Sequence, residues 1–330
     1  MATTYDYIAQ NKRRTVLLVL LFPLAFAVLA ALVVGGIFFL LGPSGAETAS
    51  GMTQAQADLL GTCLWVAPIG WLVAMVWMAV SFFCGDKWLM SGVGAVAVTR
   101  QDQPEIYRLV ENLCMTRGLP LPRVYILDDD SLNAFATGRD PQHASIALTK
   151  GIVKKLERVE LEGVVAHELA HVENRDIRLM LLIVAGISFF TFAGEFCLRQ
   201  AFYSGRRRSS KGGNGALVWL VVGIFCMVYG YLLAPVIRFA LSRQREYQAD
   251  ATAALTTRNP RALASALQKI SGDPRVEALD KRESMAAMCI ESPLAKAGLF
   301  SRLSGLWATH PPIDKRIKVL LDMDRDVFSK

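Results

Sequence analysis

The sequence predicts an α-helical membrane anchor joined to a mainly helical α+β domain that contains a small sheet. Three observations support this fold class. Long runs without charged residues occur near the N-terminus and again after residue 178. A helix-compatible segment, Glu160 to Asp176, carries two histidines four residues apart, and β-rich runs lie at Arg123 to Leu127 and Ala144 to Thr149. The 330 residues are 53% hydrophobic and 20% charged, which excludes a disordered or fibrous chain.

The N-terminal quarter of the chain has the composition of two membrane spans. No charged residue occurs from Thr15 to Ala46, and as a helix Thr15 to Leu41 would extend roughly 40 Å, more than the hydrocarbon core of a bilayer. A second uncharged run extends from Leu59 to Gly85. We therefore expect residues 1–85 to form an anchor with two transmembrane helices. A cleavable signal peptide is the alternative for the first run, but its apolar part is too long and no A-x-A site follows closely.

Two later apolar runs divide the remainder of the chain. They extend from Leu179 to Gly194 and from Gly212 to Ile237, and the first is only marginally long enough to span a bilayer. We expect residues 179–238 to form a hydrophobic hairpin that is either transmembrane or re-entrant. Residues 86–178 and 239–330 would then be the two parts of one globular domain.

Basic residues predict the orientation in the membrane. Lys12, Arg13 and Arg14 precede the first run, whereas the loop from Gly42 to Asp58 contains no Lys or Arg. By the positive-inside rule, the N-terminus and the globular domain are expected in the cytoplasm. The hairpin linker conflicts with two further full crossings, because such crossings would place its five basic residues outside: Arg199, Arg206, Arg207, Arg208 and Lys211.

The charge distribution and the cysteine content argue against a nucleic-acid-binding protein and against a protein built on disulfides. The net charge of +7 is concentrated beside apolar runs, which favours contact with anionic lipid headgroups and predicts no nucleic-acid partner. The six cysteines form neither a CxxC pair nor a disulfide framework, so we interpret them as small apolar residues.

The segment ELEGVVAHELAHVENRD, residues 160–176, is the strongest chemical signal. It has helical periodicity, so we interpret it as an amphipathic helix. His167 and His171 would project from one face of it, about one turn apart, and could bind a single metal ion. Glu168 lies beside them, where its carboxylate could accept a proton from water at the metal. An accidental HExxH is the alternative, and only four histidines in the chain make it improbable.

A third metal ligand is expected after the hairpin. In SRQREYQADATAAL, Glu246 and Asp250 are four residues apart on a predicted helix. Glu246 would bind the metal, and Asp250 would orient a ligand histidine. Considered alone, Glu246 could instead form a surface ion pair with Arg243 or Arg245.

These blocks together resemble a known family, the HtpX-type membrane zinc metallopeptidases, relatives of the CaaX prenyl endopeptidases within the gluzincin group. The resemblance is carried by HELAHVENRD at 167–176, NAFATG at 133–138, SRQREYQAD at 242–250 and THPPIDKRI at 309–317. It implies a zincin-like fold with one zinc ion per subunit, held by His167, His171 and Glu246, with Glu168 as the catalytic base.

The same resemblance implies further roles. Asn133 would bind the substrate backbone, His310 would help to stabilise the oxyanion, and Asp250 and Asn174 would support the metal ligands. The substrates would be polypeptides, chiefly misfolded or damaged membrane proteins. The protein would be a multi-pass protein of a bacterial inner membrane, with its catalytic domain in the cytoplasm and a function in stress response.

The residues alone leave alternatives for two of these sites. The β-rich runs around Asn133 predict a sheet whose edge strand could align an extended peptide, but Asn133 could equally be a turn residue. The acidic run Asp128 to Asp130 is better explained as a solvated turn than as a metal site. His310 precedes two prolines, which make the local backbone stiff, and it could be a cap or packing residue.

Two other functions compete with an endopeptidase of membrane proteins. A non-catalytic membrane scaffold would use the domain to bind partners, but it would not need a base beside two metal ligands. Prenyl-protein processing is the other alternative, although four apolar runs are few to enclose a large intramembrane chamber.

Overall fold

The computed structural model describes residues 4–41, 54–206, 215–232, 243–272 and 311–325. The chain divides into two compact units. The mixed α/β unit consists of Met1–Arg14, Phe82–Val184 and Ala234–Lys330, and the apolar helical unit consists of Thr15–Ser81 and Ala185–Leu233. Each unit is described by itself below.

Most of the described residues are helical. The helices are α1 (Thr4–Leu41), α2 (Gln54–Gly92), α3 (Pro104–Arg117), α4 (Lys150–Lys155), α5 (Arg158–Glu173), α6 (Asp176–Arg206), α7 (Gly215–Leu232), α8 (Arg243–Thr257), α9 (Pro260–Gly272) and α10 (Ile313–Met323). The strands are β1 (Val96–Ala97), β2 (Arg123–Leu127), β3 (Ala134–Gly138) and β4 (Ala144–Thr149). The prediction of a mainly helical α+β protein with a small sheet is confirmed.

The sheet of the mixed α/β unit has the strand order β1-β2-β4-β3. β2 and β4 are parallel, whereas β1 and β3 run antiparallel to their neighbours. The two predicted β-rich runs are β2 and β4, and the AFATG part of the NAFATG block forms β3, the strand at one edge of this sheet. Its register pairs Ala134 with Leu148 and Thr137 with Ser145.

One face of the sheet packs into the core of this unit. Side chains alternate along a strand, so every second residue of β2, β3 and β4 points to the same face. The residues of that face belong to one buried apolar cluster, which includes Val124, Ile126, Ala134, Ala136, Ile146 and Leu148. Side chains of α5 complete this core, among them Val164, Val165 and Leu169.

Helix α5 differs from the predicted amphipathic helix. It is buried on several faces, because β3, α3, α8 and α9 all pack around it. Glu157 and Glu160 form a capping box at its N-terminus. At Gly163 a Cβ atom would lie only 3.2 Å from the Cα of Leu263, so the glycine allows α9 to pack closely. The helix that carries HExxH is therefore a central element of the core.

The apolar helical unit contains α7 and the greater parts of α1, α2 and α6. Leu64, Trp65 and Ile69 of α2 are 67%, 75% and 57% exposed, as expected of side chains that face lipid. Among the described residues, Leu64–Gly92 and Asp176–Tyr203 are long and apolar enough to cross a membrane, each with a mean hydropathy of 2.0. A shorter apolar helix covers Ala216–Val228.

Small residues and aromatic rings hold this unit together. A Cβ at Gly194 would lie 2.8 Å from Met227 Cγ and 3.2 Å from the carbonyl oxygen of Gly223, so α6 and α7 pack closely. The indole Nε1 of Trp77 donates to the carbonyl oxygen of Ala185 at 3.0 Å.

Helix α6 extends for 31 residues. It therefore continues well beyond the 16-residue apolar run that sequence reasoning found marginal.

Candidate metal centre

Helix α5 places the two histidines of HExxH side by side. His167 and His171 lie one turn apart, with their Nε2 atoms separated by 3.2 Å and their rings nearly perpendicular. His167 is 1% exposed and the His171 side chain 13% exposed. The predicted geometry, two imidazoles on one helix face, is therefore present.

Helix α8 brings Glu246 to the same place. Its Oε1 lies 3.6 Å from His171 Nε2, and its Oε2 lies 3.8 Å from His167 Nε2. Arg245, one of its two candidate ion-pair partners, binds Asp176 instead. The other candidate, Arg243, has a side chain outside the described set. Glu246 is 1% exposed and turned towards the histidines, so it is not a surface residue.

These three side chains fit a metal ion. Their ligand atoms all lie within 4.8 Å of one another. In a tetrahedral zinc site, bonds of about 2.0 Å to nitrogen and oxygen separate neighbouring ligand atoms by about 3.3 Å. The three measured separations, 3.2, 3.6 and 3.8 Å, are close to this value. Two imidazoles and one carboxylate are also a donor set that zinc accepts.

Asp250 binds the Nδ1 side of the His167 ring. Its Nδ1 lies 2.9 Å from Asp250 Oδ1, as predicted for a carboxylate that orients a ligand histidine. Arg316 of α10 binds that carboxylate with two hydrogen bonds, Nε to Oδ2 at 2.8 Å and Nη2 to Oδ1 at 2.7 Å. Burial raises the pKa of Asp250, but Arg316 and His167 outweigh burial and lower it to about 2.

Sequence reasoning missed Arg316, although a signal was present. Ile313, Ile317 and Leu320 form the apolar stripe of α10, and Arg316 lies within this stripe. An arginine on a buried helix face requires a carboxylate partner, because an unpaired buried charge is costly. Burial lowers the pKa of Arg316, but the charge of Asp250 raises it above its ordinary value.

His171 is held by a second carboxylate, that of Asp176. His171 Nδ1 lies 2.9 Å from Asp176 Oδ2, and Arg245 Nη1 lies 2.7 Å from Asp176 Oδ1. Sequence reasoning missed this aspartate, which lies inside the quoted HELAHVENRD block. Its position depends on Arg175, whose positive φ of 60° turns the chain between α5 and α6. No helical spacing rule indicates such a turn.

Carboxylates surround His171 and favour a positive charge at its ring. Burial lowers the pKa of His171, but the hydrogen bond to Asp176 and the charges of Glu246, Asp176 and Glu168 outweigh burial and raise it to about 9. The carboxylates that favour an imidazolium would equally favour a divalent cation. This electrostatic environment is a second reason why the residues fit a metal.

Glu168 lies within the site, as predicted. It is 3% exposed and close enough to His171 and Arg316 to raise the pKa of both. It follows His167 directly on α5.

The remaining predicted residues have different outcomes. Asn133 is 1% exposed and directly precedes the edge strand β3, where its Oδ1 accepts a hydrogen bond from the backbone N–H of Ala134. Asn174 is the C-terminal cap residue of α5 and is 3% exposed. His310 lies outside the described residues.

The acidic run after β2 is a solvated turn. The side chains of Asp128 and Asp130 are 82% and 86% exposed, and they pair with Lys150 and Lys154. Asp129 Oδ1 accepts a hydrogen bond from the backbone N–H of Ser131. This geometry is that of a turn and agrees with the preferred interpretation.

Comparison with known proteins identifies the family. The model of peptidase family M48 matches residues 100–324, which contain all three candidate ligands. The chain belongs to peptidase family M48. Within this family it is similar to the protease HtpX homologue of Bacteroides fragilis, with 42% identity over 94% of this chain and 96% of the relative. The HtpX homologue of Ligilactobacillus salivarius is 38% identical over 97% and 99% of the two chains.

Among solved structures, that of Ste24p from S. mikatae is similar. It aligns with a TM-score of 0.46 and 18% identity, covering 80% of this chain and 59% of that chain. The present chain therefore spans less than two thirds of the length of Ste24p.

Membership of family M48 agrees with the chemistry of the site. The protein is a membrane-bound metalloprotease, and its substrates are polypeptides. The family uses a metal cofactor, generally zinc, and the His167, His171 and Glu246 cluster offers the ligands for it. The enzymatic prediction is confirmed, and the non-catalytic scaffold is excluded.

Proposed function

We propose that this protein is a zinc endopeptidase in which His167, His171 and Glu246 hold one zinc ion per subunit. The observation that carries this proposal is the convergence of the three side chains from α5 and α8, with Glu168 beside them. When bound, zinc supplies Lewis acidity that polarises oxygen and lowers the pKa of water to near neutrality.

Glu168 acts as the base, and two aspartates hold the histidine ligands in place. As a carboxylate, Glu168 accepts a proton from water and then donates it to the leaving amine of the substrate. Asp250 and Asp176 hold the imidazoles of His167 and His171 so that both Nε2 atoms face Glu246. Each ring then keeps its proton on Nδ1, facing an aspartate, and the Nε2 lone pairs remain available.

Substrate binding is assigned to the edge of the sheet. A peptide in extended conformation can pair with β3 by main-chain hydrogen bonds, which would align its scissile carbonyl with the metal centre. We assign contact with the substrate backbone to Asn133 and stabilisation of the oxyanion to His310. We assign support of the metal ligands to Asn174, in addition to Asp250. These assignments rest on the family blocks that contain these residues.

The chain would be a multi-pass protein of a bacterial inner membrane, with residues 1–85 as anchor and 179–238 as hairpin. The unit boundaries at Arg14, Ser81, Val184 and Leu233 support a protease domain built from residues 86–178 and 239–330. Lys12, Arg13 and Arg14 support a cytoplasmic face for this domain.

The depth of the hairpin can be measured. Helix α6 is long enough to cross the hydrocarbon core, at about 1.5 Å per residue. Single cysteines placed from Arg199 to Gly215, in a cysteine-free background, should be labelled from the periplasm if the hairpin crosses fully. Labelling from the cytoplasm would instead identify a re-entrant hairpin.

The physiological role we assign is quality control of misfolded or damaged membrane proteins, in line with the resemblance to HtpX-type peptidases. The experiment uses detergent-purified protein and one membrane protein offered in unfolded and folded forms. We expect cleavage of the unfolded form, loss of cleavage with a chelator, and recovery on addition of zinc.

A variant of the proposed base tests the reaction itself. Glu168→Gln should retain zinc and lose at least about a hundredfold in cleavage rate, because general acid–base catalysis supplies roughly that factor or more. Glu162→Gln, on the same helix, is the matched control and should cleave normally. Normal turnover by Glu168→Gln would overturn the assignment of the base.

A further inference from the structure

Asp176 and Arg245 form a buried ion pair where the chain enters and leaves the α6–α7 segment. Asp176 is the first residue of α6, and Arg245 lies in the first turn of α8, 69 residues later in the chain. Their side chains are 3% and 2% exposed, and Arg245 Nη1 lies 2.7 Å from Asp176 Oδ1. We call this pair the hairpin clamp.

The hairpin clamp adjoins a candidate metal ligand at each of its ends. The second carboxylate oxygen of Asp176 lies 2.9 Å from His171 Nδ1. Arg245 directly precedes Glu246 on α8. His171 Nε2 and Glu246 Oε1, only 3.6 Å apart, are therefore each connected to one member of the clamp.

Stability alone is a weak explanation for this pair. Replacing a buried ion pair by neutral side chains of similar volume is often neutral or stabilising, because desolvation offsets the attraction. A carboxylate shared between an arginine and the back of a ligand imidazole has a geometric consequence instead. It fixes both the tautomer and the orientation of the ring.

We propose that Asp176 and Arg245 are positioning residues for the metal centre: Asp176 orients His171, and Arg245 holds Asp176 while fixing the start of α8 beside Glu246. This inference rests on the proposed ligand set. The clamp thereby fixes the separation of the second and third ligands, although the whole α6–α7 segment lies between them in the chain.

The test measures zinc affinity by competition with a chelator of known affinity, on detergent-purified full-length protein. Asp176→Asn removes the carboxylate and keeps the shape of the side chain. Asp176→Asn/Arg245→Met removes both charges of the pair, so neither is left buried without the other, and this variant can fold even if the single variant does not. Glu173→Gln is the matched control, because Glu173 pairs with Arg117 on the outside of α5.

We expect Asp176→Asn to weaken zinc binding by roughly 10- to 100-fold, the range known for residues that orient metal ligands. The double variant should show the same loss within about twofold, because Arg245 acts through Asp176. Glu173→Gln should bind zinc like the wild type. Cobalt-substituted Asp176→Asn should show an altered visible absorption spectrum, because His171 is less well oriented.

Two results would overturn the inference. One is wild-type zinc affinity in both Asp176 variants. The other is weaker binding accompanied by a lower melting temperature of the metal-free protein and an unchanged cobalt spectrum, which would indicate a purely structural pair. Failure of the proposed function looks different, since the wild-type protein would then bind no stoichiometric zinc.

Discussion

His167 and Asp250 form a buried pair in which Nδ1 lies 2.9 Å from Oδ1 and each side chain is 1% exposed. Because a carboxylate only accepts hydrogen bonds, this contact places the imidazole proton on Nδ1 and leaves Nε2 to face His171 and Glu246. The two aspartates, Asp250 and Asp176, thus perform the same task for the two histidines.

Replacing Asp250 should weaken metal binding without removing a ligand. We expect Asp250→Asn to lower zinc affinity by roughly 10- to 100-fold, because His167 is then less firmly oriented and less basic. The measurement is a competitive zinc titration, with Asp322→Asn on the exposed face of α10 as control. Equal affinities of the two variants would contradict this role of Asp250.

Removal of the third ligand should have a larger effect. Glu246→Ala leaves two imidazoles for the metal, so we expect a loss of zinc affinity beyond the roughly 100-fold upper range of supporting residues. Gln244→Ala, an exposed position on the same helix, should bind zinc normally. If Glu246→Ala kept its affinity, the third ligand would have to be another carboxylate, and Asp250 would be examined first.

Arg316 should be important for stability even in the metal-free protein. Arg316→Met leaves the buried carboxylate of Asp250 without its arginine partner and with His167 alone, and breaking a buried ion pair in this way costs about 3–5 kcal/mol. We expect a clearly lower melting temperature for the metal-free variant. The exposed neighbour Lys315 provides the control, Lys315→Met, and a similar melting temperature for both variants would refute the prediction.

Stability should fall at acidic pH through Glu160. Burial raises the pKa of this carboxyl, but hydrogen bonds from Lys269, Ser265 and the backbone of Glu157 outweigh burial and lower it below its ordinary 4.5. Because the folded-state pKa is the lower one, the stabilisation is present above about pH 4.5 and is lost as the pH falls through the folded-state value.

Two variants separate the contribution of Glu160 to the pH dependence of stability from the contributions of other groups. Glu160→Gln should lower the free energy of unfolding by about 1–2 kcal/mol at pH 7 and flatten its dependence on pH below 4.5. Lys269→Met should flatten the same pH range. Thermal unfolding at pH 7 and pH 4 provides the measurement, and an unchanged pH dependence in both variants would assign the acid sensitivity to other groups.

Asn133 should affect the use of substrate and not the binding of metal. We expect Asn133→Ala to lower kcat/KM for peptide cleavage about tenfold, because about that factor corresponds to the loss of one hydrogen bond to the substrate. The zinc content should stay at the wild-type level. Because Asn133 also caps β3, the melting temperature must be compared in the same experiment. An unchanged kcat/KM would favour the alternative in which Asn133 is a turn residue.

The sequence predicted those parts of the protein that depend on local spacing. His167 and His171 share a helix face because they are four residues apart, and β2 and β4 occupy the predicted runs. The amphipathic interpretation of α5 was wrong about its environment, because the partners that cover its other faces come from distant segments. Periodicity identifies a helix but does not show how many other elements pack against it.

The partners of the histidines show the limit of this reasoning. Asp250 was predictable, since it lies one helical turn after Glu246. Asp176 depends on the left-handed conformation of Arg175, and Arg316 comes from a helix distant in the chain. Neither contact follows from a spacing rule, because each depends on how separate elements pack.

The order of the candidate ligands along the chain has a consequence for biosynthesis. His167 and His171 are translated before the α6–α7 segment, and Glu246 is translated after it. On the proposed ligand set, a nascent chain that has not yet passed residue 246 offers only two of three ligands. On that ligand set, the three-ligand centre can therefore be completed only after both apolar helices have been made.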